Sequence, residues 1–395
     1  MIRTNPEALS SRPTVVAIPA RNQAGHIDRC LDALAAQQGT GGRILIEQAQ
    51  FKVVILVTNT EDDTAGRIER WSAGNRLQVA VRQIEMNGEA HAGAARKAAM
   101  DWASEELKST PGSIICTTDA DSAVDPDWLS RTWAAFHDGV DAVAGAVNFD
   151  PGRLADLGLS PLRRLEAGFA TLQAQINARL DPEPYNPWPN HIWAWGASLA
   201  VTASAYREIG GLPPAPLAED RALVAALKRA DFRVRHSLDV RVRTSIRTTG
   251  RAPGSLADLV KLYSTGVDRA PCDAALEPVP MIFERAACRS RLRQMRQASA
   301  RSQRSSRNLA WRLRVSRVAV EEAIDEPSFG TAWSRLEETS PTLARQRLFP
   351  SELPRQIFLA NKMISHRGWR DAEHPHDSVL ATSAGLWSAP AQQPR

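Results

Sequence analysis

Two pairs of acids stand out among the 395 residues. Asp119 and Asp121 follow the apolar run SIICTT, and Glu219 and Asp220 follow the proline-rich LPPAPLA. In an extended segment, residues two apart point to the same side, with Cα atoms roughly 6–7 Å apart. Asp119 and Asp121 therefore present two carboxylates at a strand end. Hard oxygen donors of this kind suit a divalent cation such as Mg2+ or Mn2+. Such an ion would bridge to a diphosphate and offset the charge on a leaving phosphate. Asp is also common in turns and helix caps, which accounts for the same residues without a metal. Glu219 and Asp220 open a helix, where the dipole favours acids. The dipole would also keep a carboxylate ionised, as a general base needs.

Three other segments could meet a ligand. Pro19-Ala20-Arg21-Asn22 ends a strand and precedes a helix whose first N–H groups can hold a base or phosphate. Asn59 and Asp63 follow the next strand and suit contacts to a base or ribose, or simply cap a helix. In Gly88–Lys97 (GEAHAGAARK), small residues let a helix start lie close to a ligand, and Arg96 and Lys97 could neutralise phosphate. A tightly packed Ala-rich helix explains that segment as well. Its spacing is not that of a GxxxxGK[ST] phosphate loop.

These residues need a frame, and the first 150 positions supply one. Strand signals at Thr14–Ile18 (stopped by Pro19), Phe51–Thr58, Leu77–Ile84, Ser113–Thr118 and Asp141–Val147 alternate with helical spacing at His26–Gln37, Thr64–Ala73, Ala90–Leu107 and Asp127–Phe136. That order predicts an α/β fold with a mainly parallel sheet covered on both faces. Ligands then sit at the carboxyl ends of the strands, which points to the loops after Ile18, Thr58, Ile84 and Thr118. A helix is predicted over Leu162–Leu180, irregular chain over the proline-rich DPEPYNPWPN, and a helix over Asp220–Ala230. Arg233–Arg243 reads as an edge strand, and RTTGRAPG as a basic loop. Beyond about residue 255 the chain reads as helical and Arg-rich, with 11 Arg and no acid between Arg285 and Arg317. Leu309, Trp311, Leu313 and Val315 fit a strand as well as a helix. The tail after His374 reads as flexible.

Composition narrows the class. Hydrophobic residues make up 43% and charged residues 24%, which excludes a disordered or collagen-like chain. The apolar runs are too short to cross a bilayer, and the first dozen residues lack a signal-peptide core, so a cytoplasmic protein is expected. The net charge of +5 is compatible with a phosphate-bearing ligand or an acidic surface. Cys30, Cys116, Cys272 and Cys288 show no CxxC pair and are expected to be reduced and structural.

Taken together, VVAIPARN, VILVTNTEDDTAG, GEAHAGAARKAA, ICTTDADSAVDPDWL and WGASLAVTASAYREIGGLP with AEDRALVAALKRADF resemble a family 2 glycosyltransferase of the GT-A fold. The resemblance runs from about Thr14 to Gly254. It implies transfer of a sugar from a nucleoside diphosphate-sugar to an acceptor hydroxyl, assisted by Mn2+ or Mg2+, inverting and non-processive. By position it implies that Pro19, Ala20 and Asn22 line the nucleotide pocket, with Asn59 and Asp63 near the base or ribose. Gly88 and Arg96 would shape the donor side. Asp119 and Asp121 match the D-x-D motif, with Asp121 as the direct metal ligand, and Asp220 matches the catalytic base. Trp195, Gly196 and Ala197 would border the acceptor. His236 is a further candidate for the metal shell, and Arg247 and Arg251 are placed to close over the diphosphate.

Asn59 stands where many relatives carry an acid, and the Q-x-x-R-W motif of processive synthases is absent. The expected organisation is a transferase domain over 12–254, a helical Arg-rich region over 255–373, and a tail over 374–395. The acceptor is open: glycan, lipid-linked or small molecule. For the Arg-rich region a solvated basic face comes first and a peripheral contact with an anionic membrane second, with nucleic acid disfavoured for want of aromatic interleaving. The competing functions are a nucleotidyltransferase acting on a sugar phosphate and a non-catalytic GT-A-like binding protein.

Overall fold

The computed structural model describes residues 12–39, 41–45, 50–87, 91–108, 110–149, 160–215, 217–245, 268–299 and 302–369. In chain order the elements are β1 (Thr14–Ala20), α1 (Ile27–Ala35), β2 (Phe51–Thr58), α2 (Thr64–Ala73), β3 (Val79–Ile84), α3 (Ala92–Leu107), β4 (Ile114–Thr117), β5 (Ser122–Val124), α4 (Trp128–His137) and β6 (Ala142–Phe149). They continue with α5 (Glu166–Leu180), β7 (Leu199–Thr202), α6 (Ala203–Glu208), α7 (Glu219–Arg229), β8 (Val234–Thr244), α8 (Val279–Gln297), α9 (Gln303–Leu313), α10 (Arg317–Asp325), α11 (Phe329–Thr339) and α12 (Leu353–His366).

The chain divides into two compact units. The first holds the described residues of Met1–Asp156, Trp193–Leu227 and Phe232–Lys261. The second holds those of Leu157–Ile192, Lys228–Asp231 and Leu262–Arg395.

An eight-stranded sheet in the order β3-β2-β1-β4-β7-β6-β8-β5 forms the first unit. The strands β3, β2, β1 and β4 run parallel, as do β6 and β8, while β7 and β5 pair antiparallel with their neighbours. The sheet is thus α/β and mixed. Its central strands are apolar at nearly every position because helices cover both faces. Val15, Ala17, Val54, Leu56, Ile115 and Val201 point to one face and share a core with Met100, Trp102 and Leu107 of α3 and with Leu223 and Leu227 of α7. The alternate residues Val16, Ile18, Val53, Ile55 and Val57 are equally buried on the other face.

Two expectations need correction, and one open reading is resolved. Pro19 does not stop β1, which runs on to Ala20. Beyond Ala17 the strand pairs only with β2, and a strand tolerates a residue without an N–H where one side is unpaired. Arg233–Arg243 is not an edge strand: β8 lies between β6 and β5. The end strand on that side, β5, is three residues long and gave no periodic signal. Leu309–Val315, which fitted a strand as well as a helix, is helical as far as Leu313, where α9 ends. Its apolar residues Leu309, Ala310 and Leu313 face inward while Trp311 faces out.

In the second unit, α9, α10 and α11 close a core around Leu292, Leu309, Leu313, Val320, Trp333 and Leu336. Many arginines of the basic run pair internally. Arg285 binds Glu277 (2.6 Å), Glu337 and the carbonyl of Leu343. Arg289 and Arg293 reach Asp181 and Glu183, and Arg312 reaches Glu284 (2.7 Å). All four cysteines are free and buried.

Candidate active site

The segment after β4 is fixed on both flanks. The Asp119 carbonyl accepts from the Ser122 N–H (3.0 Å), and the Ser122 hydroxyl donates to Thr244 Oγ1 (2.8 Å), tying β5 to the end of β8. Behind it, the fully buried Gln37 amide donates to the carbonyls of Ala33 and Asp125 and accepts from the Leu129 N–H. Within this frame Asp121 Oδ2 accepts from the Ser245 hydroxyl at 3.1 Å. The Cys30 thiol donates to the Asp119 carbonyl at 3.5 Å. Burial, then the charges of Asp121 and Asp119, push that thiol far up, so it stays protonated as a donor.

Arg96 organises the site. Its side chain leaves α3 into the interior, and the residue is only 5% exposed. Nη2 donates to Asp119 Oδ1 (2.7 Å), Nε to Glu219 Oε1 (3.0 Å), and Nη1 to Thr117 Oγ1 and the Gly196 carbonyl (both 3.0 Å). Burial alone would lower its pKa, but the charges of Asp119 and Glu219 reverse that, so the guanidinium is held charged. The acid pairs, one after β4 and one at the start of α7, are thus joined through one cation.

The start of α7 meets the same cluster. Asp220 Oδ2 accepts from the Gly196 N–H (3.0 Å) and Oδ1 from the Arg221 N–H (2.7 Å). Gly196 is therefore held on both sides, by Asp220 on its N–H and by Arg96 on its carbonyl. A Cβ on Gly196 would fall inside the Arg96 guanidinium, so only glycine fits. Gly93 has a similar role: a Cβ there would lie 2.5 Å from the Ala215 carbonyl, so glycine lets the start of α3 approach this segment. Ala218, just before the acids, has φ of 56°, which costs a non-glycine residue roughly 1–2 kcal/mol. Such strain persists where surrounding contacts hold it. Burial, then the Glu219 charge, raise the pKa of Asp220 against the opposing pull of Arg96 and the two amides. Beside Gly196, Trp195 meets Phe149 edge-on (centroids 6.4 Å) and Trp193 at a tilt (5.9 Å).

The loops after β1 and β2 are laced together. The Asn22 N–H donates to Thr60 Oγ1 (2.9 Å), and Asn22 Oδ1 accepts from the Glu61 N–H (2.8 Å). The Gln23 N–H donates to Thr64 Oγ1 (2.7 Å) and the Ala24 N–H to Asp62 Oδ2 (3.0 Å). Asn22 and Asn59 both take left-handed backbone, with φ of 51° and 44°, which Asn tolerates better than most residues. The Asn59 amide exchanges two hydrogen bonds with the Met86 backbone (both 3.1 Å). Asp63 is exposed and ion-paired with Arg70 (2.6 Å), and its side chain makes no cap bond.

The structure therefore brings Arg96, Asp119 and Asp220 into one hydrogen-bonded group, with Asp121 two residues from Asp119. Pro19, Ala20 and Asn22 stand at the end of β1, and Asn59 and Asp63 after β2. Gly88, Arg247 and Arg251 lie outside the described residues. His236 is not brought to Asp121. It sits near the start of β8, opposite Ala144, with Nδ1 against the Trp193 carbonyl (3.0 Å), whereas β5 meets β8 at its other end. Lys97 is paired with Asp101 on its own helix. Sequence reasoning missed Thr117, Ser245, Gln37 and the loop-lacing Thr60, Asp62 and Thr64. Thr117 had a usable signal, because strand alternation puts it on the side of Asp119.

Among the described residues no three His, Cys, Asp or Glu side chains gather into a metal cage. Asp121 offers carboxylate oxygens beside a hydroxyl, and Mg2+ is commonly held by one or two carboxylates with substrate phosphates and water completing its shell. The donor set fits an ion shared with a diphosphate rather than a site closed by protein.

Residues 15–179 match the family model described as glycosyl transferase family 2. A search of curated proteins gives no match. Similar solved structures include a mannosyltransferase from Pyrobaculum calidifontis in complex with GDP-Man and Mn2+ (14% identity, 95% of this chain and 84% of that one, TM-score 0.42). Another is S. aureus TarS 1-349 in complex with UDP-GlcNAc (16% identity, 92% and 93%, TM-score 0.43). A third is glucosyl-3-phosphoglycerate synthase from Mycobacterium tuberculosis with Mn2+, UDP and phosphoglyceric acid (16% identity, 68% and 84%, TM-score 0.36). Residues 15–179, about two-fifths of the chain, are thus similar to glycosyl transferase family 2.

Proposed function

We propose that the protein transfers one glycosyl group per encounter from a nucleoside diphosphate-sugar to an acceptor hydroxyl, with inversion, at the cluster around Arg96. The observation that carries this is the bridge from Arg96 to Asp119 and Glu219, with Arg96 and Asp220 both bonded to the backbone of Gly196. It sets a carboxylate suited to a base beside a carboxylate pair suited to a diphosphate.

In this reading the nucleotide lies along the loops after β1, β2 and β3, at the carboxyl ends of parallel strands. Pro19, Ala20, Asn22, Asn59, Asp63 and Gly88 shape that surface. The side-chain bonds of Asn22 and Asn59 place them as holders of the loop backbone. Asp119 and Arg96 set the diphosphate side, and Arg251 supplies a further charge over it. Asp121 would hold Mn2+ or Mg2+, whose charge would offset that of the departing diphosphate.

Asp220 accepts the proton of the acceptor hydroxyl as its oxygen forms the bond to the anomeric carbon. The bond to the diphosphate breaks, and its electron pair leaves with the diphosphate oxygen. The two backbone amides orient the carboxylate, and its raised pKa makes it a stronger proton acceptor than an exposed aspartate. The Trp195-Gly196-Ala197 segment borders the acceptor.

A panel of UDP- and GDP-sugars, assayed for nucleoside diphosphate release with and without Mn2+, tests the proposal. Release of UDP or GDP that depends on metal is expected. Pyrophosphate release would indicate nucleotidyl transfer, and no release from any donor would remove the proposal.

A further inference from the structure

The arginines paired inside the second unit leave a distinct remainder. On α9, Ser306, Leu309, Ala310 and Leu313 are buried, so the opposite face looks outward. Trp311 stands on that face, 81% exposed. Arg307 lies four residues before it and Arg304 seven before, on the same side of the helix. Arg314 follows at the C-cap, its backbone N–H on the Trp311 carbonyl (3.2 Å). All three arginines are exposed, and no ion pair or side-chain hydrogen bond joins them to another described residue. No acid occurs between Arg285 and Arg317 to neutralise them. The pattern recurs on α12, where Phe358 is 65% exposed between the exposed Arg355 and Lys362, at i−3 and i+4.

A lone exposed tryptophan among unpaired arginines is a specific chemistry. Large indole rings are at home at the boundary of water and hydrocarbon, and the arginines complement lipid phosphates. The fold buries the apolar stripe of α9 internally, so this helix offers a single wedge and a ring of charge rather than an amphipathic face. No described helix is long and apolar enough to cross a membrane, so a contact made here is peripheral.

We propose that the outward face of α9, centred on Trp311 with Arg304, Arg307 and Arg314, docks the protein on an anionic lipid surface. Charge complementarity selects this partner. Nucleic acid would call for several stacking aromatics in a basic groove, and α9 offers one ring.

The test is co-sedimentation of the full chain with phosphatidylcholine vesicles, with and without phosphatidylglycerol. Binding is expected only to the anionic vesicles. It should weaken with salt as the screening length falls from about 10 Å at 0.1 M to about 3 Å at 1 M. Arg307→Ser and Arg314→Ser should each lower the affinity about 5-fold, and Trp311→Ala at least as far. Arg307→Lys, which keeps the charge, should retain it. All four side chains are exposed, so thermal melting should match the parent. Equal binding to neutral vesicles, no binding, or parental affinity in Trp311→Ala would overturn the proposal. So would tighter binding to a DNA duplex that survives Trp311→Ala.

Discussion

Arg96 carries the most at the scale of single residues. Four acceptors on three segments share one planar guanidinium, a geometry that an ammonium cannot reproduce. Arg96→Ala would leave Glu219 buried without its counter-charge, and removing one partner of such a pair costs about 3–5 kcal/mol. Arg96→Lys should restore part of the stability in a denaturant titration but little turnover, because the Gly196 peptide and Asp119 would no longer be held together. Parental kcat in the lysine variant would contradict this role. The raised pKa of Asp220 has a sign that can be checked. Its base form is lost at higher pH than an ordinary aspartate's, so the acid limb of the kcat/KM profile, which reports the free enzyme, should lie above the usual value of about 3.9. For folding, the protonated form is favoured. This group's contribution is complete below the unfolded value and is lost as pH rises through the folded one. A limb at or below the ordinary value would count against Asp220 as the base. The acids were legible because their type and place after a strand or at a helix start carry information. The partners were not, since Arg96 meets Glu219 across 123 positions.

At the scale of elements, two packing devices hold the site. Gly196→Ala forces a methyl into the Arg96 guanidinium, which four bonds prevent from yielding. It should reduce turnover to the level of Arg96→Ala while changing donor affinity less, as a kcat and KM comparison would show. Gln37→Ala removes a buried amide that serves two carbonyls and one N–H. With about 1–3 kcal/mol for each buried group left unsatisfied, a loss of about 3 kcal/mol is expected by chemical denaturation. Strongly periodic elements were readable: Phe51–Thr58 and Thr64–Ala73 form as their patterns predict. β5 was not, because three residues show no period. β8 misled because Arg235, Arg241 and Arg243 alternate along it as on an exposed strand, yet both its flanks are paired at its C-terminal end. Leu309–Val315 was ambiguous because Trp311 breaks the helical stripe by facing out.

For the whole molecule, several arginines of the basic run from Arg285 to Arg317 prove to be structural. Arg285, with its side chain 12% exposed, serves Glu277 and Glu337 together, so Arg285→Ala should destabilise the second unit by about 3–5 kcal/mol, measurable by calorimetry. An unchanged melting profile would contradict that reading. The charge count could not reveal this, because pairing of Arg289 with Glu183 or of Arg312 with Glu284 depends on tertiary contacts. The same reasoning singles out the few unpaired arginines around Trp311. What unites the account is the proposal that the carboxylate at the start of α7 takes the acceptor proton while the strand-end acids serve the diphosphate. The most direct measurement is turnover of the Asp220→Asn variant on the nucleotide-sugar the parent uses, with donor binding followed by calorimetry. Asparagine keeps the shape and loses the base, so turnover should fall about 10²–10⁴-fold while the donor binds nearly as before. Parental turnover in Asp220→Asn would contradict the account.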